Sequence, residues 1–237
     1  MRSMSKMVLC ALLAVFAMSA LAVASASAAL PEFEGPFPNK IEISTKQYGE
    51  VVFESGEGLR LTCTHGATGE GTITASKALT VKFALKECSI PFPNRLCTTK
   101  GAAEGEVRTE ELKSALVYIS KSSKEVGIDF DQYVEGNKFP PPPVPTFAKF
   151  KCGGGGIEPV IRDSVIANVT ALNHKTRTYT LKFSQERGKQ KPTWYENEKG
   201  GQAKALLEVN WLGSQFERLG LQAENNLETA KETEIKA

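Results

Sequence analysis

The chain carries 27 acidic residues, and only three of them are aspartates: Asp129, Asp131 and Asp163. Asp129 and Asp131 stand in the run GIDFD, where β-branched and aromatic neighbours indicate a strand, and residues two apart on a strand point to the same face. Two carboxylates on one face suit a hard cation such as Ca²⁺. Alternatively they split their proton affinities, so that one acts as acid and the other as base. They equally mark the solvated end of a strand. Trp194 and Tyr195 lie side by side in the polar stretch KQKPTWYENEKGG. Such a pair is either a platform for a sugar or a partner protein, or a lid folded back on the core. The possible binding residues are therefore Trp194, Tyr195, Asp129 and Asp131. A glycan hydrolase would join two carboxylates at a defined separation to such a platform.

Other chemistries find little support. His65 lies in THGATGEG and His174 in LNHKT, both turn-like, and the chain has no H-E-x-x-H pattern and no G-x-S-x-G elbow; these histidines read as solvated residues. Gly153 to Gly156 would need a following Lys and Ser or Thr to cradle a phosphate, and Ile157-Glu158-Pro159 follows instead. No cofactor and no metal site is expected, and catalytic residues are unassigned. Cys63, Cys88, Cys97 and Cys152 lack the C-x₂-C spacing of a zinc site. These four are the cysteines left once a signal segment containing Cys10 is removed, and an even number in an exported chain reads as two disulfides. Of the three possible connectivities, Cys88–Cys97 and Cys63–Cys152 are preferred. The first closes a short loop containing Pro91 and Pro93, and the second joins the strand-like segments LRLTC and FAKFKC.

Period-two alternation shows which elements must hold these residues. Leu79, Val81, Phe83 and Leu85 alternate with Thr80, Lys82, Ala84 and Lys86, the pattern of a strand with one wet face. Thr178 to Ser184 and Leu207 to Trp211 repeat it and should share one core. Shorter runs read as further strands: Ile41 to Ser44, Val51 to Phe53, Leu59 to Cys63, Gly71 to Ala75, Leu116 to Ser120, Gly127 to Phe130, Phe147 to Lys151 and Val165 to Thr170. Near the C-terminus Leu219, Leu221, Ala223, Leu227 and Ile235 share odd positions while Glu224, Glu228, Glu232 and Glu234 share even ones. That segment reads as a terminal edge strand protected by its charges. Pro140 to Pro143 read as an extended crossover between strands or as a ligand for an aromatic groove. The expected fold is all-β, a single antiparallel β-sandwich or barrel-like domain over residues 29–237.

Residues 1–28 read as a cleaved signal peptide. Arg2 and Lys6 precede the apolar run Met7 to Val23, and Ala24-Ser25-Ala26 with Ala26-Ser27-Ala28 supply small-x-small cleavage sites. Cleavage would remove two basic residues and no acidic one, leaving 27 Lys and Arg (29 minus 2) against 27 Asp and Glu. A neutral chain without basic blocks is a poor ligand for nucleic acid. No second long apolar run follows, so no membrane span is expected in the mature chain.

The order of segments LTCTHGATGEGTITASKALTVKFALKEC, GAAEGEVRTEEL, ISKSSKEVGIDF, FAKFKCGG, RDSVIANVT and LKFSQERGKQKP resembles a group of uncharacterised secreted four-cysteine β-proteins of high-GC Gram-positive soil bacteria. The resemblance implies a bacterial, exported, disulfide-bonded chain and implies no activity, ligand or catalytic residue. The resulting expectation is a non-enzymatic secreted or cell-envelope β-domain with a binding or structural role toward a protein or glycan surface. The alternative is a secreted carboxylate-dependent glycan hydrolase.

Overall fold

The structure is a computed structural model, and it describes residues 31–35, 39–91, 95–131, 146–153, 157–196, 201–213 and 215–237. The proposed signal segment, the polyproline connector and Gly154 to Gly156 fall outside the described residues. Among those described there is no helix, and twenty-one strands follow in order. They are β1 (Glu32–Glu34), β2 (Ile41–Gln47), β3 (Val51–Ser55), β4 (Arg60–Cys63), β5 (Ala67–Ala75), β6 (Ala78–Leu85) and β7 (Cys88–Ile90). Next come β8 (Arg95–Thr98), β9 (Val107–Arg108), β10 (Leu112–Ser120), β11 (Glu125–Asp131), β12 (Thr146–Lys149), β13 (Lys151–Cys152) and β14 (Val160–Asp163). The last are β15 (Val165–Val169), β16 (Thr176–Glu186), β17 (Lys189–Lys191), β18 (Trp194–Glu196), β19 (Gln202–Lys204), β20 (Leu207–Asn210) and β21 (Glu217–Lys236).

Antiparallel pairing carries β2 to β5, β6, β10, β11, β15, β16, β21 and back to β2, closing a barrel. Closure leaves the ring without the unpaired edges that make open sheets aggregate. The additional strands continue the same ladders beyond one end. β3 follows β2 along β21, β7 follows β6, and β14 leads into β15, while β20 lies between β14 and β21.

The alternation read from the sequence is the packing of this barrel. Leu79, Val81, Phe83 and Leu85 face inward, as do Tyr179, Leu181, Phe183, Leu207, Val209 and Trp211, and all belong to one hydrophobic core. Outward positions of the barrel strands are polar, as in Glu42, Ser44 and Lys46 on β2 or Thr80 and Lys82 on β6. This polarity is the reverse of a lipid-facing barrel, whose outer band is apolar. No helix among the described residues is long and apolar enough to cross a membrane. Between β16 and β17, Arg187 and Gly188 both take positive φ (51° and 70°), the two-residue turn that matches strand twist. A Cβ on Gly188 would lie 2.3 Å from the Ser55 backbone, so only glycine fits.

β21 is not an edge strand, since β1, β2, β3, β16 and β20 all pair with it. Its glutamates point away from the core because they occupy the barrel's wet face, so their charge marks a face and not an edge. The disulfides are Cys63–Cys88 and Cys97–Cys152, not Cys88–Cys97 and Cys63–Cys152. Cys63 and Cys88 are direct partners across β4 and β7, and Cys97 and Cys152 across β8 and β13. The segments LRLTC and FAKFKC do not lie side by side. Each staple fastens a very short strand, β7 or β13, which has few ladder hydrogen bonds of its own. Two disulfides suit an oxidising, extracellular-type environment.

Candidate functional site

On β11 the side chains of Val126, Ile128 and Phe130 enter the core, so Gly127, Asp129 and Asp131 occupy the outer face. The two aspartates therefore share a face, as the spacing predicts, but they do not share an environment. Asp129 is only 8% exposed. It sits in register between Ala115 on β10 and Ile166 on β15. A small second cluster on this outer wall, built from Val117, Ile166 and Ala205 with Ile119 and Tyr195 packed against it, explains the burial. Gly127 makes room for that layer, since a Cβ there would come within 2.7 Å of Ile166 and 3.0 Å of Ile119.

The layer is completed by β18 and β19, which cross the outside of the barrel as a strap. β18 pairs with β19 along its length but with β10 only at Tyr118–Glu196. The Lys121 N–H donates to the Glu196 carboxylate at 2.9 Å, and the Ala205 N–H donates to the Thr193 carbonyl at 3.0 Å. Loss of water around Asp129 pushes its carboxyl up to about 7 from an ordinary 3.8. The neighbouring Asp131 charge adds to the rise, and the Ser164 and Tyr195 hydroxyls partly offset it. Asp129 Oδ1 meets no hydrogen-bond donor among the described residues. Tyr195 is pushed up to about 12, by burial first and by Asp129 second.

Asp163 joins this group at the β14–β15 junction, where it adopts φ 64°. Burial raises its carboxyl too, against the lowering influence of Arg162. Arg162 is held by two hydrogen bonds to Glu208 Oε2, at 2.9 and 2.6 Å, and its guanidinium lies 3.6 Å from the Phe216 ring centre. All three aspartates of the chain thus meet on one wall. The sequence marked Asp129 and Asp131 but missed Asp163 and Ser164, which lie over thirty positions away and become neighbours only through the β11–β15 ladder.

Tyr195 and Trp194 take opposite roles. Tyr195 covers Asp129, whereas Trp194 is 48% exposed, with the Lys204 ammonium 5.5 Å from its ring centre. Consecutive strand residues face opposite ways, so Trp194 is neither a lid on the core nor a neighbour of the carboxylates. His65 pairs with Glu87 at 2.6 Å and His174 contacts the Leu172 carbonyl at 3.0 Å, both at the surface. Among the described residues no group of three or more His, Cys, Asp or Glu is placed to hold a metal ion.

Away from this wall, the barrel interior is filled. The cavity among Gln47, Phe83, Phe130, Phe183 and Asn225 measures about 20 Å³, the scale of one water. A far larger concavity of about 990 Å³ lies on the outside, over β2, β5, β6 and β21. Ser44 stands between Glu70 and Glu228 across β5, β2 and β21, and Glu70 stands opposite Lys82 on β6. Glu42, Thr72 and Thr80 form the adjacent row. Lys82 pairs with Glu111 at 3.9 Å, and Arg108 pairs with Glu106. No family model, curated protein or solved structure matches the chain.

Proposed function

We propose that the chain is exported by its first 28 residues and works outside the cytoplasm, in the medium or at the cell envelope, as a non-enzymatic binding barrel. Its binding face is the acidic saddle on the outer wall. One observation carries this reading: the cavity inside the barrel has room for about one water, while the wall offers a broad concavity lined by Glu42, Glu70 and Glu228. Ordered strands fix the spacing of these carboxylates, with Glu70 and Glu228 about 10 Å apart across two strand intervals. The saddle suits an extended partner bearing amine or guanidinium groups and repels nucleic acid.

Replacing Glu42, Glu70 and Glu228 together by glutamine is expected to weaken retention on immobilised polylysine at least tenfold at 50 mM salt, with unchanged thermal stability. Equal retention of the variant and the parent chain, or stronger retention of both on a neutral glycan, would exclude the saddle as the binding face. The hydrolase reading keeps one favourable observation, a carboxyl near 7 beside a second carboxylate. Release of sugar from oligosaccharides that is lost in both Asp129→Asn and Asp131→Asn would favour it.

A further inference from the structure

We propose that the β18–β19 strap is a proton-operated latch, docked on the barrel wall while Asp129 is protonated and released when Asp129 ionises. The inference is independent of the acidic saddle, which lies on other strands.

The geometry supplies both halves of a latch. The strap is held by the small cluster around Tyr195, one residue pair with β10 and the Lys121–Glu196 hydrogen bond. The barrel beneath is closed by long ladders, such as that between β16 and β21. Docking places Tyr195 over a carboxyl that is nine-tenths buried, with one oxygen unmatched by any donor among the described residues. An ionised carboxylate is poorly tolerated there, whereas a neutral one is not.

The groups around Asp129 do not rescue the charge. Asp131, on the same strand, is itself negative and stands in register with Lys113 on β10. Ser164 approaches from the β14–β15 junction and Tyr195 from β18, while Asp163 lies near Asp131. Of these, only the Ser164 and Tyr195 hydroxyls favour the ionised form directly. Lifting the strap returns Asp129 to water and to ordinary carboxylate behaviour. The open and docked states therefore differ in proton affinity, and that difference is what allows pH to shift the population between them.

Hydrogen exchange of the full chain, read by mass spectrometry at residues 194–196 and 202–205 and corrected for intrinsic exchange at each pH, tests the latch. Protection of the strap is expected to fall about tenfold per unit between pH 5 and 7 and to level off above about pH 8. Amides of the barrel around Leu116 should stay protected throughout. Asp129→Asn should hold the strap docked at every pH. Asp131→Asn removes a like charge and should move the transition to lower pH. Tyr195→Phe removes a hydroxyl that favours ionised Asp129 and should move it higher. The two opposite shifts keep the test decisive if Asp129→Asn fails to fold. Strap protection that does not change with pH in the parent chain, a decline that survives in Asp129→Asn, or no shift in either neighbour variant would overturn the proposal.

Discussion

Replacing Cys97 and Cys152 together by alanine is expected to lower the unfolding free energy by about 4 kcal/mol, and replacing Cys63 and Cys88 by about 3.5 kcal/mol. The order follows from loop length, because the bonded cysteines are 55 and 25 residues apart. A longer closed loop removes more freedom from the unfolded chain. The folded state gives the staples a second purpose. β7 has three residues and β13 two, so neither strand is held firmly by its own ladder. Urea unfolding of the two double variants checks the prediction. An unchanged free energy in both would mean that these cysteines do not constrain the chain as the barrel requires.

Asp129→Asn is expected to abolish most of a decline in stability that the parent chain shows between about pH 4 and 7. The sign follows from which state holds the proton. Below 3.8 both states are protonated and the favourable contribution is fully present. As pH rises the unfolded chain loses its proton first, while the folded chain keeps it until about 7. Stability is therefore lost across that window and stays level above it. The upper bound is about 4 kcal/mol, from the difference between 3.8 and about 7. Release of the strap caps the loss at the free energy that docks it. Urea midpoints at pH 5 and pH 8 for parent and variant isolate the effect, since other titrating groups are common to both. Asp163, whose carboxyl burial also raises, leaves a smaller slope of the same sign. An identical change between pH 5 and pH 8 in parent and variant would contradict the burial of Asp129.

The barrel was legible because its strands alternate cleanly. Val81 and Phe83 face the core while Thr80 and Lys82 face water, and a period of two admits no helical reading. Closure was not legible, because a strand's own pattern does not name its neighbours. For that reason the alternation of β21 suggested an edge although the strand lies between partners on both sides. The cysteines failed in the same way. Sequence spacing favoured the close pair Cys88 and Cys97, yet the chain folds back so that β4 meets β7 and β13 meets β8.

At the candidate site the shared face of Asp129 and Asp131 followed from their spacing. The burial of Asp129 did not, because it depends on Tyr195 arriving from more than sixty residues away. The Trp194-Tyr195 pair was recognised as two aromatics, but which of them turns inward depends on how β18 lies across β10. In each case the local pattern fixes a side chain's face, and the long-range pairing decides what covers that face.

A non-reducing tryptic map of protein recovered from the medium tests at once whether the chain is an exported barrel stapled between neighbouring strands. Cleavage after Lys and Arg puts each cysteine in its own peptide: 61–77, 87–95, 96–100 and 152–162. The expected links are 61–77 to 87–95 and 96–100 to 152–162, with an N-terminus near Ala29. A link of 87–95 to 96–100, free thiols at these positions, or a chain that still begins at Met1 would contradict it.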